Sequence, residues 1–140
     1  MTVVSIVYHR HHRATREYAQ LLADRLHVTG HAPQLVAVSE ASPHEVVYSG
    51  ALVLLSPVMF GRIHGAALAR IIAGVRPTAV LVVGDARLRG RVSRLFSAEQ
   101  LRNITVFSAA GRDPQVSEVV PVADWVSGLP GAPTGPLDDR

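Results

Sequence analysis

Thr2-Val3-Val4-Ser5-Ile6-Val7-Tyr8, then His9-Arg10-His11-His12-Arg13, then Ala14 to Leu26: this stretch decides the fold. Thr2 to Tyr8 is a β-branched apolar run, the pattern of a buried strand. It stops abruptly at a wholly basic segment, His9 to Arg13. From Ala14 the period changes, and Tyr18, Leu21, Leu22, Arg25 and Leu26 follow the three-and-four spacing of a helix. Gly30 closes the unit. A buried strand that runs through a short loop into an amphipathic helix is the repeating half of an α/β protein.

The rest of the chain repeats that alternation. Gln34 to Val38 is a short strand. Ser42-Pro43 with Glu45 has the form of a helix start, with Ser42 as N-cap, and leaves room for a turn or two. Ala51 to Leu55 is a strand without polar alternation, as expected when both faces are buried. Ser56 to Arg62 reads as a loop, and Ile63 to Ala73 as a helix with Ile63, Ala67, Ile71 and Gly74 along one face. Thr78 to Val83 is a further apolar strand, closed by Gly84-Asp85. Arg91 to Leu101 has helical character, and Ile104 to Phe107 is a fifth short strand. Pro121 interrupts the amphipathic segment Val116 to Val126 and limits a last helix to Pro121 to Leu129. Pro130 to Arg140 has no apolar period and is expected to be a disordered, dispensable tail after a single domain over residues 1–129. The order implies α/β architecture: a doubly wound, five-stranded parallel sheet with helices on both faces. Ligands of such sheets bind beyond the carboxyl ends of the strands, near the reversal of strand order. The informative segments are therefore those after Tyr8, Leu55 and Val83.

Composition excludes several classes of function. The 140 residues contain no cysteine, which removes disulfides, Cys-ligated zinc, iron–sulfur clusters and a cysteine nucleophile. All 14 basic residues are Arg, a bias that GC-rich coding accounts for, and the net charge is only +3. The Arg residues are scattered and aromatics make up 5%, so no nucleic-acid-binding surface is expected. The apolar runs Ala51 to Leu55 and Ala79 to Val83 fall far short of the roughly 20 residues that span a bilayer. The first residues lack the pattern of a signal peptide, so a cytoplasmic protein without a membrane span is expected. His9, His11 and His12 lie close together, but no carboxylate stands beside them and the neighbouring Arg residues repel a cation, so a metal site is not expected. Nucleophile-elbow, dinucleotide-binding and Walker patterns are absent from the sequence.

Three loops remain. In the first, Arg10, His11, Arg13, Ala14 and Thr15 surround a helix start, which offers free N–H groups, a positive dipole end and a hydroxyl to an anion. The same residues equally make a solvated surface with Thr15 as a cap. In the second, Ser56-Pro57-Val58-Met59-Phe60-Gly61, the apolar Met59 and Phe60 suit the sides of a flat aromatic ligand, or one of them enters the core. In the third, Gly84, Asp85 and Arg87 can approach a ligand closely, accept a hydrogen bond and contact an anion, or simply form a turn.

These stretches resemble the flavodoxin superfamily, and most closely its short flavodoxin-domain proteins, including quinone-linked protoporphyrinogen oxidases and flavodoxin-like quinone reductases. The resemblance covers about Thr2 to Val126. Val4 to Ala19, ending in Thr15-Arg16-Glu17-Tyr18-Ala19, is similar to the strand, loop and helix that hold the phosphate of FMN. Ala51 to His64 is similar to the second flavin loop, and Val82-Val83-Gly84-Asp85 to the start of the third. Asp124-Trp125 matches a pair that opens the last helix of the protoporphyrinogen-oxidase relatives. The phosphate loop is degenerate: His9 and Arg10 stand at hydroxyl positions, Arg13 stands at the family's Gly, and Thr15 alone is retained.

What the resemblance implies is a flavodoxin-like fold carrying FMN, with the ring between the second and third loops and the phosphate at Arg10 to Arg16. The function expected on this basis is an oxidoreductase that passes electrons to a quinone-like or other small acceptor, with small-molecule donors or acceptors and a second copy of the chain as candidate partners. A basic chain suits that role better than the role of an acidic electron carrier. The alternative is a flavodoxin-like protein that has lost FMN and serves as a binding or interaction module, so an enzymatic role stays open.

Overall fold

The computed structural model describes residues 3–9, 12–38, 50–59, 62–63, 77–84 and 97–129. Its strands are β1 (Val3–His9), β2 (Ala32–Val38), β3 (Ala51–Met59), β4 (Arg62–Ile63), β5 (Thr78–Val83) and β6 (Ile104–Ala109). Its helices are α1 (Arg13–Val28), α2 (Ala98–Leu101) and α3 (Val116–Ser127).

Five strands form a parallel sheet in the order β2-β1-β3-β5-β6. Gln34, Ser5, Leu52, Thr78 and Ile104 make one row across it. From β1 the chain moves outward to β2, then crosses back to β3 and continues through β5 to β6. The winding direction therefore reverses between β1 and β3, which places the ligand crevice of this architecture beyond the carboxyl ends of those strands.

Side-chain alternation sorts the central strands into two faces. Val4 and Ile6 of β1, Ala51, Val53 and Leu55 of β3, and Ala79, Leu81 and Val83 of β5 face one way. They pack on Tyr18, Ala19, Leu22, Ala23 and Leu26 of α1 and on Val119, Val122, Ala123 and Val126 of α3. All six residues of β5 are buried, so both of its faces are covered. No helix among the described residues is long and apolar enough to cross a membrane.

Several boundaries differ from the sequence reading. Ser56, Pro57, Val58 and Met59 belong to β3 and not to a loop, because β5 continues to pair with β3 as far as Pro57↔Val83. β1 pairs with β3 only up to Val7↔Leu54, so Pro57 lies beyond that ladder, where a residue without an N–H is tolerated. Beyond it β4 folds back antiparallel, pairing Val58↔Ile63 and Met59↔Arg62, and Ile63 is thus a strand residue and does not open a helix. The remainder of the helix expected over Ile63 to Ala73, the short helix at Ser42 and the tail lie outside the described residues. Of the helix expected over Arg91 to Leu101, only Ala98–Leu101 is helical and Ser97 is not, while residues 91–96 lie outside the described residues.

The last helix begins at Val116, not Pro121, and Asp124-Trp125 lie near its end. Pro121 is accommodated because it is exposed, as is Ser117, whose carbonyl loses the helical N–H that Pro121 lacks. Water reaches that carbonyl, so the loss is modest. Pro121→Ala is expected to stabilise the fold by about 1 kcal/mol, the helical gain being partly offset by the freer unfolded chain. Urea unfolding checks this; an unchanged or lower midpoint counts against it.

Candidate functional site

The basic segment after β1 folds into a tight turn that satisfies itself. The His12 N–H donates to the His9 carbonyl at 3.1 Å. His12 is the N-cap of α1, with extended backbone, and its Nδ1 accepts the Thr15 N–H at 3.2 Å. Thr15 is fully buried, and its hydroxyl donates inward to the His12 carbonyl at 3.0 Å, with the His9 carbonyl at 3.4 Å. The Arg13 Nε donates to Glu17 Oε1 at 2.9 Å, one turn along the helix, with 85% of the Arg13 side chain exposed. Ala14 is half-buried beside it.

A second wall faces this turn. Glu118 lies on α3 at the third position after its N-cap, Gln115, and accepts the Gln115 N–H at 3.1 Å and the Ala110 N–H at 2.9 Å. It also accepts the hydroxyl proton of Tyr18 at 2.8 Å, and that hydroxyl accepts the Gly111 N–H at 3.1 Å. One carboxylate and one phenol thereby fasten the β6–α3 loop to α1. Burial opposes ionisation of Glu118 but is outweighed by the donors from Ala110, Tyr18 and Gln115, which hold its pKa below the ordinary value. Burial, together with the neighbouring Glu118, pushes the Tyr18 phenol up to about 12 against the opposing Gly111 N–H. An open cleft lies between the walls, with His12, Arg13, Ala14 and Glu17 on one side and Gly111, Asp113, Pro114 and Gln115 on the other.

Ser56 stands apart from this cleft. It is fully buried on β3, on the face opposite the α1–α3 core, and its Oγ has no hydrogen-bond partner among the described residues. A buried hydroxyl without a partner costs about 1–3 kcal/mol, which makes it a natural position for a ligand's polar atom. Gly84 ends β5 with φ +132°, a conformation that favours glycine, and its N–H donates to the Ala109 carbonyl at 3.0 Å. The backbones of Pro57, Val58 and Met59 continue β3 past Ser56. Arg10, His11, Phe60, Gly61, Asp85 and Arg87 lie outside the described residues.

The structure thus brings Arg13, Ala14 and Thr15 together at the start of α1, and places Ser56 within β3 and Gly84 just after the neighbouring β5. The sequence reading did not include His12 as the cap, or Tyr18, Glu118 and the loop Gly111 to Gln115 as the opposing wall. Gln115 and Glu118 stand at capping-box spacing, and that signal could have located the start of α3.

A parallel sheet with this order, reversing between β1 and β3 and flanked by helices, defines a doubly wound architecture. Solved structures specify it further: this is the flavodoxin-like fold. Oxidised flavodoxin 1 from Bacillus cereus superposes with a TM-score of 0.64 and 12% identity, covering 92% of this chain and 100% of that one. A short-chain flavodoxin associated with a non-canonical PDU bacterial microcompartment gives 0.64 and 12%, covering 89% and 95%. The flavodoxin of Streptococcus pneumoniae TIGR4 gives 0.61 and 12%, covering 87% and 95%. No family model and no curated protein matches the chain.

For FMN, the cofactor that the sequence resemblance implies, Ser56 and the start of α1 give different answers. The Ser56 hydroxyl is buried and has no partner among the described residues, so its proton is open to an acceptor. At the start of α1 the donors nearest the cap are taken: His12 accepts the Thr15 N–H, the Thr15 hydroxyl is turned into the turn, and the Arg13 Nε donates to Glu17.

Proposed function

We propose that this chain is a flavin-binding redox protein of the flavodoxin-like fold that delivers electrons to a small, quinone-like acceptor in the cytoplasm. The observation that carries the reading is the buried Ser56 hydroxyl, without a partner among the described residues, on β3 opposite Val82 near the end of β5. FMN is the cofactor suggested by the structural neighbours and by the sequence resemblance. A bound flavin supplies reversible electron transfer; the protein supplies position and electrostatics. In that role Ser56 orients the ring from beneath, and Gly84 lets the backbone after β5 approach it closely. Phe60, Met59, Asp85 and Arg87 are the proposed neighbours from the adjoining segments, and the modest net charge of +3 leaves the approach open to neutral and anionic acceptors.

The test is titration of the purified chain with FMN, followed by quenching of flavin fluorescence. Ser56→Ala should move two measurements in opposite directions. The apo protein gains stability, on the order of 1 kcal/mol, because a buried hydroxyl without a partner is removed. Flavin affinity falls several-fold, because the hydroxyl's intended partner loses its contact. A variant with unchanged affinity removes Ser56 from the site.

The second reading is a binding or interaction module without flavin. The self-capped start of α1 favours it, since the fold's usual anchor for an anion is closed by the chain's own side chain. Absence of any flavin binding decides for this reading.

A further inference from the structure

We infer that His12 makes flavin recognition by this chain independent of the flavin's phosphate, so that riboflavin serves as well as FMN. The inference rests on the flavin-binding reading above and concerns which flavin is recognised.

An anion at a helix start is held by first-turn N–H groups, by nearby hydroxyls and by cationic side chains. At the start of α1 the donors nearest His12 are engaged: one N–H, the one hydroxyl and one guanidinium nitrogen. The N–H of the third helical residue, Thr15, is directed into His12 Nδ1 at 3.2 Å. The Thr15 hydroxyl is fully buried, and its single proton goes to a main-chain carbonyl at 3.0 Å. The Arg13 guanidinium lies on Glu17 at 2.9 Å. Glu17 on the same wall of the cleft offsets the charge of Arg13, so the guanidinium attracts an entering phosphate less than a free one would. The imidazole ring therefore stands where a phosphate oxygen would have to accept the Thr15 N–H. The two cannot share that proton.

The experiment compares FMN with riboflavin, by fluorescence quenching, on the wild-type chain and on His12→Gly. Glycine is itself an acceptable N-cap, so the variant keeps the helix while freeing the Thr15 N–H. A charge-assisted phosphate contact typically strengthens binding by about ten- to a hundredfold. The wild-type chain is expected to bind the two flavins within about threefold of each other. In His12→Gly the preference for FMN is expected to rise by about tenfold or more. Wild-type FMN binding tenfold or more tighter than riboflavin overturns the inference, as does a variant whose preference is unchanged. Binding of neither flavin overturns the flavin reading itself. Titration with inorganic phosphate, followed by the amide resonance of Thr15, is independent of that outcome. The inference expects this resonance to stay still in the wild type and to move in His12→Gly; movement in the wild type overturns it.

Discussion

Glu118→Ala is expected to lower the stability of the fold by on the order of 3 kcal/mol, read as a reduced midpoint of urea unfolding with an unchanged slope. The carboxylate accepts three donors: the Tyr18 hydroxyl and the Ala110 and Gln115 N–H groups. Ala110 is exposed, and water replaces its acceptor at small cost. Tyr18 is different, because it is fully buried between α1 and α3 and its hydroxyl proton would lose its acceptor. A stranded buried donor costs about 1–3 kcal/mol, and loss of the capping box adds about 1 kcal/mol. Tyr18→Phe tests the same link from the other side. If the two residues act through one another, the double variant costs clearly less than the sum of the singles. Strict additivity shows that the phenol and the carboxylate act separately.

The same pair sets the pH limits of that link, with opposite signs. The folded pKa of Glu118 lies below its ordinary 4.5. Its contribution is therefore complete above pH 4.5 and is lost as the pH falls through the folded value. Tyr18 is raised from 10.0 to about 12, so its contribution is complete below pH 10.0 and is lost as the pH climbs toward about 12. Glu118→Gln should flatten the acid limb of stability against pH, and Tyr18→Phe the alkaline limb. Retention of either limb in its variant assigns that limb to another group.

The architecture was legible where one local signal dominates. The switch from a continuous apolar run to three-and-four spacing located β1 and α1 within a residue or two, and β5 needed only its six apolar or β-branched residues. Legibility failed where tertiary pairing overrides local chemistry. Pro57 looks like the end of a strand, yet β5 on one side and β4 beyond it carry β3 through to Met59. Pro121 looks like the start of a helix, but its exposure lets α3 run past it. At the candidate site the location of the first loop was readable, whereas the use of its donors was not. Whether a histidine faces a ligand or caps its own helix depends on the turn that the backbone makes, here closed by the His12 N–H on the His9 carbonyl. The Tyr18–Glu118 bond joins residues 100 positions apart, and no window of sequence contains both.

Gly111→Val is expected to cost about 2–4 kcal/mol and to disturb the candidate site from a distance. Gly111 has φ +82°, a left-handed conformation that costs an ordinary residue about 1–2 kcal/mol and a β-branched one more. A Cβ at this position meets the Gly84 Cα and N and Val83 Cγ1, each at 3.4 Å. Alanine therefore fits in ordinary contact and suffers mainly the backbone term. Valine adds two methyl groups to a space bounded by the backbone at the end of β5, which has no flexible side-chain tip to move aside. Relief must come from displacing Gly84, where the chain leaves β5 for the third candidate loop, or from breaking the Gly111 N–H bond to Tyr18. The first route weakens flavin binding together with stability; the second lowers stability and leaves binding intact. Urea unfolding and flavin titration of Gly111→Ala and Gly111→Val separate these routes. Equal stability of the two variants shows that Gly84 yields freely and that the loop after β5 is not braced by the loop after β6.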